Sequence, residues 1–357
     1  MLKKIFFLVI FVSLSIAFFY GQKLSLNQKN QNFLEPAKMQ SKKTIKDAKI
    51  VGWTAYWDEQ NTFNSLTNVI QYLNTFSPIL YRIEPDGSLG RLNVIFRKNF
   101  LDLARQHNLP IIPVIGDDFD FERVSLLLYN HQIQEKFIKS LVDEAQKEGF
   151  GGWSIDIESL KKEDKEAFTN FIVKSANSLQ QNGLKLNVIV FARTGNDNNP
   201  ASLAQDYKSL GAAANEVQLM MYGASDEETE PGGQAPLSFV REVLSYTIKL
   251  VPKEKVVVGL STHGYDWGGN SAEPLTFPQI EKRTKEASAS VSFDPKVSSA
   301  IARYQKNGVD HQIWFEDEVA ITQKMELILN QFDINKFALW RIGAEDSEIW
   351  NKLQELK

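Results

Sequence analysis

The sequence predicts an α/β protein of the (β/α)8 barrel type, and three observations carry that prediction. Short, β-rich apolar runs alternate with longer helical stretches eight times from Lys49 onward. Several runs, VVVGLS and LNVIVFA among them, are almost continuously apolar, as parallel strands covered on both faces must be. The alternation occupies residues 49–357, a length that suits one such barrel.

In chain order the strand candidates are 50–57, 77–83, 110–115, 152–157, 184–191, 217–222, 255–261 and 337–342. Helical patterns lie between them, as at 131–148, 162–182 and 236–249. A doubly wound open sheet is the competing arrangement. WTAYWDEQ (53–60) stands where a Gly-rich dinucleotide fingerprint would follow the first strand, so nothing supports that alternative. The spacing breaks once. Between the run ending at 261 and the run starting at 337 an insertion is expected, within about 268–318, with its own strand signal at 312–315.

Composition narrows the chemistry. The chain has 357 residues, 43% hydrophobic and 24% charged, which is ordinary for a folded globular protein. The absence of cysteine excludes disulfides, thiolate catalysis, Cys-ligated zinc, iron–sulfur clusters and a lipoprotein anchor. A net charge of −4 argues against nucleic acid as the main partner. The four histidines, His107, His131, His263 and His311, have no metal-ligand spacing, so neither metal nor cofactor is expected. No G-x-S-x-G nucleophile elbow and no phosphate-cradling glycine loop occurs.

The charge is unevenly spread. Residues 1–49 hold nine Lys against Glu35 and Asp47, a net of +7, which leaves −11 for the rest. Lys3 and Lys4 precede an apolar stretch over 5–20, so residues 1–21 read as a signal peptide or an uncleaved signal anchor. Ala17 is followed by Phe18, Phe19 and Tyr20 rather than a small-x-small site, and both options stay open. Residues 22–48, rich in Gln, Asn, Lys and Ser, read as a polar stalk before the barrel at 49–357. Export is therefore expected, with membrane attachment through 5–20 as one form of it.

The chemistry is expected at the carboxyl ends of the strands. The fourth run reads FGGWSIDIESL, and alternation on a strand puts Ser154, Asp156 and Glu158 on one face. Two carboxylates side by side can hold one proton as a general acid; a structural ion pair would use the same spacing.

This stretch resembles the signature strand of glycoside hydrolase family 18, the chitinase-like barrels. The family pattern Asp-Gly-apolar-Asp-apolar-Asp-apolar-Glu is met as Gly151-Gly152-Trp153-Ser154-Ile155-Asp156-Ile157-Glu158, with Gly151 and Ser154 replacing two acids. QLMMYG (218–223) is similar to the family's Met-x-Tyr-Asp element, with Gly223 at the Asp. ALWRIGAED (338–346) with Trp350, PGGQAPL, HGYDW and WFED add to the likeness, which spans about 50–357 and is nearest to bacterial cell-wall and spore-cortex N-acetylglucosaminidases.

The resemblance implies a substrate-assisted glycosidase acting on polysaccharides that contain N-acetylglucosamine. Glu158 would protonate the glycosidic oxygen, Asp156 would steady the attacking acetamido group, and Tyr222 would hydrogen-bond its carbonyl. Trp340 would floor the sugar. Gln218 and Met220 share the face of Tyr222, and Trp53 and Tyr56 either line the cleft or only pack. Ser154 can hydrogen-bond Asp156. With acids lost at 154 and 223, less like-charge elevation is expected at Glu158, and a slower or pH-shifted reaction with it. The alternative is a catalytically weak, lectin-like barrel that binds glycans.

Overall fold

The computed structural model describes residues 44–269 and 271–355. The leader and most of the stalk reading lie outside these residues. Residues 44–48 do not belong to a stalk: Ile45 is buried, and Asn335 Nδ2 donates to the Asp47 carbonyl at 3.0 Å.

The first strands are β1 (Lys49–Thr54), β2 (Thr75–Ile83), the short β3 (Leu89–Arg91) and β4 (Val114–Gly116). β5 (Gly152–Asp156), β6 (Lys185–Phe191), β7 (Glu216–Met220) and β8 (Val256–Ser261) follow. After the insertion strands comes β14 (Lys336–Trp340). Their order is β1-β14-β8-β7-β6-β5-β4-β2, all parallel, and β1 pairs with β2 to close the ring. β3 hangs on β2 as an antiparallel hairpin partner. The protein is a closed eight-stranded parallel barrel with helices outside, a (β/α)8 barrel. The third strand is shorter than the apolar run 110–115 predicts, because Pro110 and Pro113 supply no N–H to the ladder and Ile111 forms only an isolated bridge.

Each strand buries both faces. Inside the ring, Val51, Trp53, Val114, Ile189, Met220, Val257 and Ala338 pack together. Outside, alternate residues such as Ile155, Val188, Leu219 and Leu339 meet the helices. Gly259 on β8 makes room for the interior indole, since a Cβ there would lie 2.5 Å from Trp53 Cζ3. Gly152 has φ +148, and a Cβ would meet the Lys185 carbonyl at 2.1 Å, so only glycine starts β5. The helix His131–Glu148 matches its predicted span: the Asn130 side chain accepts from Gln132 and Ile133 N–H, and Gly149 ends it in the left-handed conformation.

The insertion is an antiparallel five-stranded sheet with its own apolar cluster. It comprises β9 (His263–Gly268), β10 (Ser271–Thr276), β11 (Ser290–Asp294), β12 (Ser299–Lys306) and β13 (Val309–Phe315), and the helix Phe277–Glu286. It begins at His263, earlier than the 268 expected, because Thr262 alone separates β9 from β8 and no loop marks the change of sheet. Buried Asp266 ties the sheet together, accepting from Arg283 (2.6 Å) and Tyr304 (2.5 Å) and pairing with His311 Nδ1 (3.0 Å). Where the chain leaves the insertion, the buried Lys324 ammonium meets Glu316 Oε2 at 2.5 Å and also donates to the Ser298 carbonyl.

Candidate active site

At the carboxyl ends of the barrel strands lies a cavity of about 520 Å³. Asp156 and Glu158 line it together, half-buried, with Trp53, Tyr56, Met220, Tyr222 and Trp340 around them. β5 ends at Asp156, so Glu158 stands on the first turn beyond the strand rather than on it.

Trp340 ends β14 and makes edge contacts with Trp53 (centroids 6.4 Å apart) and Trp57 (6.1 Å). Tyr56 packs edge-on against Trp57 at 4.9 Å. The question left open for Trp53 and Tyr56 has one answer for both: each packs and each also lines the cavity. Trp57 is 59% exposed, and it and Trp340 also border a second, open groove of about 840 Å³, lined by the helix Glu59–Val69 and the insertion. Arg341 is held away from the cavity by Asp58, at 2.7 Å.

Two candidate residues sit elsewhere. Ser154 is fully buried below the cavity with its Oγ 3.5 Å from Ser77 Oγ. It does not hydrogen-bond Asp156, whose Oδ1 is buried without a hydrogen-bond partner. Gln218 is also fully buried, one interior layer below Met220, with its Nε2 donating to Glu216 Oε2 at 3.3 Å. The side chains of alternate residues on a barrel strand stack in layers, so sharing a face with Asp156 or Tyr222 does not bring a residue to the mouth.

The structure also brings in residues that the motif did not reveal. β4 runs into Gly116-Asp117-Asp118-Phe119, all of which line the cavity. Buried Asp117 accepts from the backbone N–H of Glu158 (2.9 Å), Ser159 (2.6 Å) and Phe119 (3.0 Å). Asp118 is paired with Arg82 and Arg123. The signal was the GDDF sequence directly after the third apolar run, at a strand's carboxyl end, where barrel chemistry resides.

The electrostatics follow from this crowding. Burial, reinforced by the Asp117 charge, pushes the Glu158 carboxyl up to about 7. Burial, then Glu158 and then Asp117, holds Asp156 well above the usual carboxylate range. A like charge thus reaches Glu158 from Asp117, just past the end of the neighbouring strand, where none stands at positions 154 and 223. Burial first, then Asp156 and Glu158, raises the Tyr222 hydroxyl and keeps it a donor. His263, whose ring lies 6.4 Å from that of Tyr222, is pulled down to about 4 by burial and is neutral at pH 7. A carboxyl that stays protonated near neutrality beside a second carboxyl can donate a proton to a leaving oxygen. Among the described residues, no group of three or more His, Asp or Glu has the geometry to hold a metal ion.

Comparison with known proteins agrees with this architecture. Residues 49–345 match the family model of glycosyl hydrolases family 18. An uncharacterized glycosylase of Bacillus subtilis (strain 168), YvbX, is 26% identical over 319 residues, covering 87% of this chain and 92% of that protein. A cortical fragment-lytic enzyme of Bacillus anthracis is 26% identical over 82% of this chain and 70% of its own length. Among solved structures, the chitinase from Chromobacterium violaceum ATCC 12472 superimposes with a TM-score of 0.80 at 23% identity, over 86% of this chain and 98% of that one. The spore cortex-lytic enzyme SleL of Bacillus megaterium QM B1551 gives 0.78 at 24% identity, over 89% and 75%. At those identities the two structures speak for the fold.

Proposed function

The chain belongs to glycosyl hydrolases family 18, and from that premise we propose that it hydrolyses β-linked N-acetylglucosamine polymers by substrate-assisted, retaining catalysis. The observation that carries the proposal is Glu158, half-buried beside Asp156 and raised to about 7, in a cavity edged by Tyr222 and Trp340. Glu158 donates its proton to the glycosidic oxygen. The substrate's own acetamido oxygen attacks the anomeric carbon from the other side and forms an oxazolinium ion. Water then opens the ion with Glu158 acting as base. Asp156 steadies the acetamido N–H and the developing positive charge, Tyr222 donates to the acetamido oxygen, and Trp340 stacks under the ring. The groove beyond Trp57 and Trp340 gives a longer chain somewhere to run, which favours a polymer over a single glycoside.

Relatives named as cortical fragment-lytic enzymes favour peptidoglycan as the polymer. The basic, apolar leader favours export, with attachment through 5–20 if it is retained. The test is incubation of the purified protein with chitooligosaccharides and with peptidoglycan, the products being read by mass spectrometry in H2¹⁸O. The reading expects new reducing ends carrying one ¹⁸O, retention of the β-anomer, and no cleavage of de-N-acetylated chains. Binding without any cleavage would make the barrel mouth a lectin site instead.

A further inference from the structure

The segment that carries Glu158 is clamped by side chains from both neighbouring strands' loops. Asp117 Oδ2 receives the N–H groups of both Glu158 and Ser159, while its Oδ1 receives that of Phe119. From the opposite side, fully buried Gln205 donates to the Ile157 carbonyl at 3.4 Å and accepts from Phe191 N–H at 2.9 Å. The two peptide units that flank the Glu158 Cα, Ile157–Glu158 and Glu158–Ser159, are thus fixed from both sides. Asp118 and Phe119 adopt positive φ, +52 and +55, an uncommon conformation for non-glycine residues. The Asp118 pairs with Arg82 and Arg123 hold the loop in place against that cost.

We infer that Asp117 is a positioning residue for Glu158, fixing the backbone that carries the proton donor and setting a second carboxyl beside it. The inference rests on the reading of Glu158 as the proton donor. The ionisable groups facing that carboxyl are Asp156 on its own strand, Asp117 beyond β4, and Tyr222 beyond β7, with Tyr265 behind Tyr222. Asp118 is occupied by its two arginines. Of these, Asp117 alone touches the Glu158 backbone.

The experiment uses full-length protein labelled with ¹³C at the glutamate carboxyl, the Glu158 resonance being assigned by its absence in Glu158→Gln. Titrations of wild type, Asp117→Asn and Asp117→Ser are compared, together with kcat and KM on chitotetraose and the unfolding temperature. Both substitutions remove the charge, and the shorter serine leaves room for water if asparagine crowds the N–H groups and fails to fold. The expected result is a Glu158 midpoint lower by about half a unit to one unit. The alkaline limb of the pH–kcat profile should move down with it. The kcat at the optimum should fall about 10- to 100-fold with KM within about twofold, because the acid is misplaced rather than the substrate unbound. An unmoved midpoint or an unchanged kcat in a folded variant overturns the inference, since a merely structural aspartate would lower only the unfolding temperature. A wild type that cleaves no N-acetylglucosamine oligomer sinks the substrate reading, while the titration still decides for or against the charge that Asp117 supplies.

Discussion

Replacing Glu158 by Gln tests the catalytic reading and its electrostatics together. The amide keeps the shape of the side chain and cannot donate the proton, so turnover should fall by about 10²–10⁴-fold while binding persists. The structure also dictates the pH profile of the wild type. A carboxyl titrating at about 7 rather than at the ordinary 4.5 is about 90% protonated at pH 6 instead of about 3%, so roughly thirty times more enzyme carries the acid. Activity should hold to about pH 7 and then drop about tenfold per unit. Stability supplies an independent reading. The folded protein holds this proton more tightly than the unfolded chain, so the contribution is present below pH 4.5 and lost as pH rises towards 7. Above pH 7 the native state carries a buried charge that costs about 1–2 kcal/mol, after allowance for partial exposure. Glu158→Gln should therefore be more stable than wild type by about that amount at pH 8 and equal to it near pH 4. Turnover on chitotetraose from pH 4 to 9 and urea unfolding at both pH values measure these effects. Wild-type turnover in Glu158→Gln, or an alkaline limb near pH 5, would refute the assignment.

Trp340→Ala removes the ring that meets Trp53 and Trp57, and kcat/KM on the same oligomer should fall about 10- to 100-fold, a loss of about 1.4–2.7 kcal/mol; a change under twofold would deny it contact with sugar. Lys324→Met strands the buried Glu316 carboxylate and should cost about 3–5 kcal/mol in urea unfolding. The double change with Glu316→Leu should recover most of that, and failure to recover would mean the pair contributes more than mutual neutralisation. A chain beginning at Lys43 keeps Ile45 and the Asp47–Asn335 bond and should unfold in one calorimetric transition, whereas two separated transitions would make the five-stranded insertion an independent unit.

The barrel was legible because its signals are local and repeated. Runs such as VVVGLS and LNVIVFA bury both faces, and a chain that alternates such runs with helices eight times has few ways to pack. The nearness of Asp156 and Glu158 was legible too, since residues two apart stay close whatever the rest of the chain does, although Glu158 falls just past the end of β5. Trp340 and Tyr222 came from resemblance, and the fold carries them to the same cavity. The depth of a residue along the barrel axis was not legible. Ser154 and Gln218 share the interior face of their strands with site residues but lie a layer below the mouth, because depth depends on strand register and shear, which no single run encodes. The start of the insertion was hidden for a related reason: one residue, Thr262, separates two strands of different sheets. Asp117 is the clearest case. It lies 41 residues before Glu158, in a sequence that reads as a plain acidic loop, and only the parallel pairing of β4 with β5 sets it against the Glu158 backbone. Sequence by itself determined the fold and the acid pair, because alternation and burial are properties of neighbours along the chain. Tertiary structure alone decided which other charge surrounds that pair, because Coulomb interaction and desolvation depend on distance through space, and ring closure, not chain order, brings those strand ends together.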